Sequence, residues 1–374
     1  MPTEVKAPEP ADQDRILRAG CRRWLSGHRP IAPAARLAAL ARLPEADLAQ
    51  DFYGQGGAHD ALQDVVADLL GKPAAVFLPK GVIAQLAILR TWADRANRDL
   101  VALHPRSHVA VDEAEAYAVL HGLRGVKIGR DHAPFDLADL AAISEPLAAM
   151  VIELPLRRAA FSLPAWDELA AMSRWAGERG VARHLDGARL WEAGPGLGRD
   201  YAQISSLFDS VYVSFYKGLG GLGGAALAGE ADLLAEVRVW LHRHGAHPYT
   251  AFPYALAALD GLRRHLPRME EYRQRAAHLA KLLADAGHRV SVAQTNAFQI
   301  WLPGSPSALL EVNRAIARAS GVWLLEGASA TAAPGLSMSE IQVGEAAADI
   351  DDGDLIDFFA ALTVTRPGRS RGRL

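Results

Sequence analysis

The chain has 374 residues, half of them hydrophobic, with 40 Lys and Arg against 43 Asp and Glu and a net charge of −3. Such a length and apolar content allow a large core, in two domains or one large α/β unit. The near-neutral balance leaves no electrostatic footprint for nucleic acid, and the single cysteine, Cys21, excludes an intrachain disulfide framework and fits a reducing compartment.

In chain order, the start MPTEVKAPEP is polar and proline-rich, with no apolar core of a signal peptide. No apolar run is long enough to span a bilayer, so the expected location is cytoplasmic, with no membrane partner. Residues 1–14 read as a flexible arm. A short helix is expected over Ala34–Leu43, stopped by Pro44. Gly54, Gly56 and Gly57 then make a loop, Asp60 caps the next helix, and Leu62, Val65, Val66 and Leu69 share its apolar face until Gly71. From Ala74 the pattern settles into alternation. Strands are predicted at 74–78, 101–103, 125–128, 150–156, 181–185 and from Ser210, with helices over 82–96 and 166–178. This is an α/β fold, a mostly parallel sheet with helices on both faces. Beyond Gly229, helices are read near 232–241, 253–265, 270–286, 307–320 and 355–362, with strands within 289–303, 322–325 and 337–343, and a smaller C-terminal α/β domain is expected to start after Arg263. The expected division is a large domain over 15–265, a small one over 266–364 and a basic tail over 365–374.

One stretch dominates the chemistry: SVYVSFYKGLGGLGGAALAG, Ser210 to Gly229. A strand ends at a lone lysine, Lys217, followed by permissive glycine backbone. Partly desolvated there, an amine can lose its proton and attack a carbonyl, forming a Schiff base. The plainer reading is a surface lysine before a glycine turn. In ARHLDGARLWEAG, Asp186 closes another strand and could pair with a protonated ring nitrogen of a cofactor. Arg189 offers a planar fork for a carboxylate or phosphate. A helix cap and a surface ion pair are their plainer readings. In sheets of this kind ligands sit at the carboxyl ends of strands, so Lys80, Asp186 and Lys217 are candidates for one crevice. His108 could lie flat on an aromatic ligand or pack in the core.

Other patterns are weaker. Gly218 to Gly223 satisfies GxGxxG, but it runs into a short apolar segment rather than opening a helix, so NAD binding is disfavoured. His242, His244 and His247 crowd together without a carboxylate or cysteine alongside, and no metal site is expected. No GxSxG elbow supports a serine nucleophile.

These stretches, with DFYGQGGAHDALQDVVADLLGKPAAVFLPKG and SHVAVDEAEAYAVLHG, resemble the threonine aldolase and β-eliminating lyase family of pyridoxal-phosphate enzymes, of the aspartate-aminotransferase-like fold type I. The likeness runs from about Leu17 to Gly229 and more loosely to the last helix. It implies that pyridoxal 5′-phosphate is the cofactor, held by Lys217, with Asp186 on the pyridine nitrogen and His108 stacked on the ring. Gly81 and Val82 would meet the phosphate, a placement that helix N-termini favour. Arg189 would bind the substrate carboxylate, and Tyr53 would lie near cofactor and substrate, from this or a neighbouring subunit of a homodimer or homotetramer. The implied reaction is cleavage of β-hydroxy-α-amino acids to glycine and an aldehyde. Departures from the family pattern keep β-elimination, racemisation, aldehyde exchange and a non-catalytic scaffold open. Val82 replaces a hydroxyl residue. Glu153 is followed by LPLRRAAFSLP, without the histidine that would meet the β-hydroxyl, leaving water, His59 or His108 as the base and Arg157 or Arg158 in its space. Leu17-Arg18-Ala19-Gly20 lacks a serine, Glu340 and Gln342 stand where a clamping arginine is expected, and a phosphate-binding arginine is replaced near Tyr249.

Overall fold

The computed structural model describes residues 10–363. The chain divides into two compact units, one of residues 32–270 and one of residues 1–31 with 271–374.

The first unit is built on a seven-stranded sheet: β1 (Ala74–Leu78), β2 (Leu100–Leu103), β3 (Arg124–Lys127), β4 (Ala149–Glu153), β5 (Ala182–Gly187), β6 (Ser210–Ser214) and β7 (Ala225–Gly229). Their order is β1-β7-β6-β5-β4-β2-β3, and only β7 runs antiparallel, between β1 and β6. The central strands are buried on both faces, so they read as apolar runs. Helices α1 (Gly57–Leu70) and α2 (Gly81–Ala96) flank the first strand. Val76, Leu78, Ala84, Ile88, Leu103, Val151 and Leu227 belong to one continuous buried cluster.

Two local expectations for α1 are corrected. The helix begins at Gly57, so Asp60 lies inside its first turn and bonds Gln63 rather than capping. Val65 is 36% exposed, while Leu62, Val66 and Leu70 are fully buried. Its apolar stripe therefore steps by four residues and leaves Val65 outside. The glycine run after Lys217 joins β6 to antiparallel β7, so no helix opens there and the strand–helix context of a dinucleotide fingerprint is missing.

In the second unit, Arg23–Trp24 pairs in parallel with Val322–Trp323. This pairing ties residues 15–31, expected with the large domain, to the C-terminal segment. Cys21, Trp24, Ala317, Trp323 and Ala346 form its local core. Helix Pro10–Gly20 covers the end of the segment read as a flexible arm, with Arg314 bonding Asp14 at 2.8 Å. Residues 1–9 and the tail 365–374 lie outside the described residues. A four-stranded antiparallel sheet pairs Ala297–Pro303 with Leu336–Gln342, and helix Asp352–Thr363 ends the unit.

Candidate active site

The carboxyl ends of β4, β5 and β6 lie side by side, with Glu153 in register with Asp186 and Asp186 with Tyr212. A period of two along β5 puts His184 and Asp186 on one face of the sheet. Lys217 follows three residues after β6 ends. A cleft of about 320 Å³ is lined by Lys80, Gly81, Val82, His108, Asp186 and Lys217, with Gln85, Glu113, Tyr212 and Tyr216 also on its wall. A second cleft of about 400 Å³ shares His108, Asp186 and Lys217 and adds Glu153, Arg157 and Arg189. The sheet thus gathers the lysine, the aspartate, the histidine and the helix start into one place, and Arg189 beside them.

The electrostatics suit an amine that reacts with a carbonyl. Burial, and then the Arg189 guanidinium, bring the Lys217 pKa down to about 8. Burial raises Asp186, against the pull of Lys217 and His108 toward the charged form. Burial and the neighbouring Asp186 charge bring Glu153 up to about 7. Both Glu153 oxygens are engaged, Oε2 by the His108 backbone N–H at 2.7 Å and Oε1 by that of Arg157 at 3.1 Å. Glu113 holds His108 from below, its Oε1 at 2.8 Å from Nδ1, and this hydrogen bond raises the histidine's pKa despite burial. The turn carrying Lys217 is pinned by Glu192, whose Oε1 accepts from the Gly218 N–H at 2.8 Å. A Cβ on Gly218 would stand 2.4 Å from that oxygen.

A phosphorylated pyridine aldehyde fits these residues. The first N–H groups of α2, at Gly81 and Val82, have no intrahelical acceptor. At Gly81 the wall is bare backbone: a Cβ there would stand 1.9 Å from the Tyr212 hydroxyl. Two polar atoms on the wall, Gln85 Nε2 and Glu113 Oε2, are buried without a partner among the described residues.

Other expected residues fall elsewhere. Tyr53 lines neither cleft; it is 60% exposed and meets Tyr249 edge-on at 5.5 Å. His59 lies under the cleft's first strand, edge-on to Phe77 and 3.5 Å from Asp51, with its pKa lowered by burial. It is therefore not placed to act as base. Arg158 is committed to Asp112, whereas Arg157 lines the second cleft. Of the three clustered histidines, His244 meets His121 at 3.0 Å and His247 lies beside Gly54.

Sequence reasoning missed Gln85, Glu113, Tyr212 and Tyr216. A signal was available for Gln85, a polar residue four after Gly81 on the buried face of an apolar helix. For Glu113 none was, because one acid in VDEAEAY cannot be told from its neighbours without a partner in space.

A model described as "Beta-eliminating lyase" matches residues 33–302. The low specificity L-threonine aldolase of Escherichia coli K12 is 28% identical over 276 residues, 69% of this chain and 79% of that one. A solved Listeria monocytogenes structure, described as a candidate L-allo-threonine aldolase, is 32% identical with a TM-score of 0.87, covering 94% of this chain and 98% of that one. An Exiguobacterium structure, described as a candidate aromatic amino acid β-eliminating lyase/threonine aldolase, is 31% identical with a TM-score of 0.87, covering 93% and 98%. Among the described residues, no helix is long and apolar enough to cross a membrane.

Proposed function

The chain belongs to the β-eliminating lyase family, a family of pyridoxal-phosphate lyases, and from that premise we propose that it cleaves β-hydroxy-α-amino acids to glycine and an aldehyde. The observation that carries this reading is the convergence of Lys217, Asp186 and His108 on one wall, with Arg189 in the adjoining cleft.

When bound, pyridoxal phosphate supplies an electron sink for the bond that breaks. The chain's own residues do the rest. Lys217 provides a buried amine, largely free of its proton at mildly alkaline pH, for attachment to the cofactor's carbonyl. Asp186 provides a carboxylate for the pyridine nitrogen. Gly81 and Val82, at the start of α2, would offer backbone donors to the phosphate. Arg189 serves the substrate carboxylate with a planar fork. Its guanidinium packs over the Phe161 ring at 5.6 Å, which holds it at the cleft. His108 takes the hydroxyl proton: Glu113 engages Nδ1, and Nε2 makes no hydrogen bond among the described residues. The Tyr53–Tyr249 pair stands exposed, in keeping with a homodimer or homotetramer that buries it.

The test is to incubate the purified enzyme with β-hydroxy-α-amino acids and identify the products. Glycine and a free aldehyde in equal amounts, lost in Lys217→Ala, are expected. Elimination or racemisation products in their place would overturn the reaction, and full activity in Lys217→Ala would overturn the role of the lysine.

A further inference from the structure

Gln85 lies four residues after Gly81, on the same face of α2, and is 1% exposed. Among the first seven residues of that helix it is the only polar side chain. It lines the cleft beside Lys80, Gly81 and Val82. Its Oε1 is 2.7 Å from His184 Nε2, while its own Nε2 is buried without a partner among the described residues. Native structures seldom leave a buried amide nitrogen unsatisfied, because it has lost its water and gained nothing.

With Oε1 placed against the histidine, His184 Nε2 is the donor to it and Nδ1 is left to accept, and a chain of donors agrees with that order. The Trp92 indole can only donate, and it does so to Ser210 Oγ at 3.0 Å. The serine's own hydrogen is available to His184 Nδ1, 2.9 Å away. With Nδ1 accepting, the neutral ring carries its proton on Nε2 and donates it to Gln85 Oε1. Burial keeps that ring neutral, pushing its pKa down to about 3. The carbonyl of Gln85 is thus used up in the core, and the two N–H donors are left for whatever fills the cleft.

We propose that Gln85 is a further cofactor-binding residue, its side-chain nitrogen donating a hydrogen bond to a phosphate oxygen of pyridoxal 5′-phosphate. Side chains on a helix lean toward its N-terminus, so Gln85 reaches back toward the turn that carries Gly81 and Val82. It adds a side-chain donor where the first turn offers backbone alone. Trp92, Ser210 and His184 are positioning residues that orient the amide.

This rests on the reading of the cleft as a pyridoxal-phosphate site. The test titrates the full-length chain, stripped of cofactor, with pyridoxal phosphate and with unphosphorylated pyridoxal at pH 8.5. Gln85→Glu and Gln85→Met are compared with the native protein. Gln85→Glu keeps an oxygen for His184 and turns the donor into an acceptor, so it separates a phosphate contact from support of the histidine. We expect the dissociation constant for pyridoxal phosphate to rise about tenfold or more in Gln85→Glu, and that for pyridoxal about twofold or less. Native-like affinity for pyridoxal phosphate in this variant, or equal losses for both ligands, would overturn the assignment. Should Gln85→Met fail to fold, Gln85→Glu still decides. A native protein with no borohydride-reducible adduct on Lys217 would bring down the reading of the cleft and this proposal together, whereas an adduct with unaffected variants brings down this proposal alone.

Discussion

Glu113 Oε1 lies 2.8 Å from His108 Nδ1, and it is the buried partner of the two. Burial raises the Glu113 pKa, while the histidine pulls it back. The pair therefore fixes both the direction of the imidazole and the nitrogen left for the cleft, much as a carboxylate orients a histidine base elsewhere.

Replacing Glu113 separates charge from orientation. Glu113→Gln retains an acceptor for Nδ1 and should keep the ring in place while lowering the His108 pKa. Glu113→Ala loses the hydrogen bond and should weaken cofactor affinity by about fivefold, from about 1 kcal/mol for one bond. Absorbance titration with pyridoxal phosphate compares the two. Equal affinity in Glu113→Ala and the native chain would show that the orientation of His108 is held by packing alone.

Gly81→Ala would bring a methyl group against the Tyr212 hydroxyl. Either the phenol or the start of α2 must move, at a cost of about 1–3 kcal/mol, and the N–H groups of the helix's first turn move with it. The variant should melt lower and bind pyridoxal phosphate poorly. Adding Tyr212→Phe should recover part of the stability, because the nearest atom is removed while ring carbons at 2.5 and 2.9 Å remain. An unchanged melting temperature in the single variant would contradict the close approach.

The reactivity of Lys217 should rise with pH earlier than that of an ordinary lysine. Its pKa is lowered from 10.5 to about 8, so the uncharged amine grows in through that value and is nearly complete about one unit above it. Arg189→Gln removes the guanidinium that is the second cause of the shift. The midpoint should then move upward, and the KM for amino acids should increase. The rate of pyridoxal-phosphate attachment as a function of pH reads the first effect, and steady-state kinetics the second. A midpoint that stays put in Arg189→Gln would remove the arginine from the account of the lysine.

Acid should destabilise the fold through His184. The folded ring stays neutral down to about pH 3, whereas the unfolded one takes a proton near 6.5. Between those values the unfolded state binds more protons, so this contribution to stability is present above 6.5 and lost as pH falls. Glu153 acts in the opposite sense: its folded pKa of about 7 exceeds the ordinary 4.5, and the folded state gains as pH drops through that range. Comparing variants isolates the histidine. His184→Asn should be less stable than the native chain at pH 7, by about 1–3 kcal/mol for a broken buried network. That deficit should narrow at pH 5 in urea titrations of the cofactor-free protein. A deficit equal at both pH values would mean that His184 does not charge on unfolding.

Much of this protein was legible from local pattern. Apolar runs bounded by glycine and proline mark β1, β4, β5 and β6, and helical spacing marks α2, because backbone geometry imposes periods of two and 3.6 on any residue that must be buried. Lys217 and Asp186 were legible as candidates as well, since each lies near the carboxyl end of a strand and the ends of parallel strands form the crevice. What those residues meet was decided by the tertiary structure. Glu113 reaches His108 across a five-residue separation, Gln85 reaches His184 across 99, and Trp92 reaches Ser210 across 118. Tyr53, which the family resemblance placed near the cofactor, stands outside both clefts. Residues 15–31 follow the C-terminal segment because a two-residue strand pairs with residues 322–323. A pairing between distant segments leaves no period in the sequence; only the packing of the sheet and its helices brings the partners within hydrogen-bond reach.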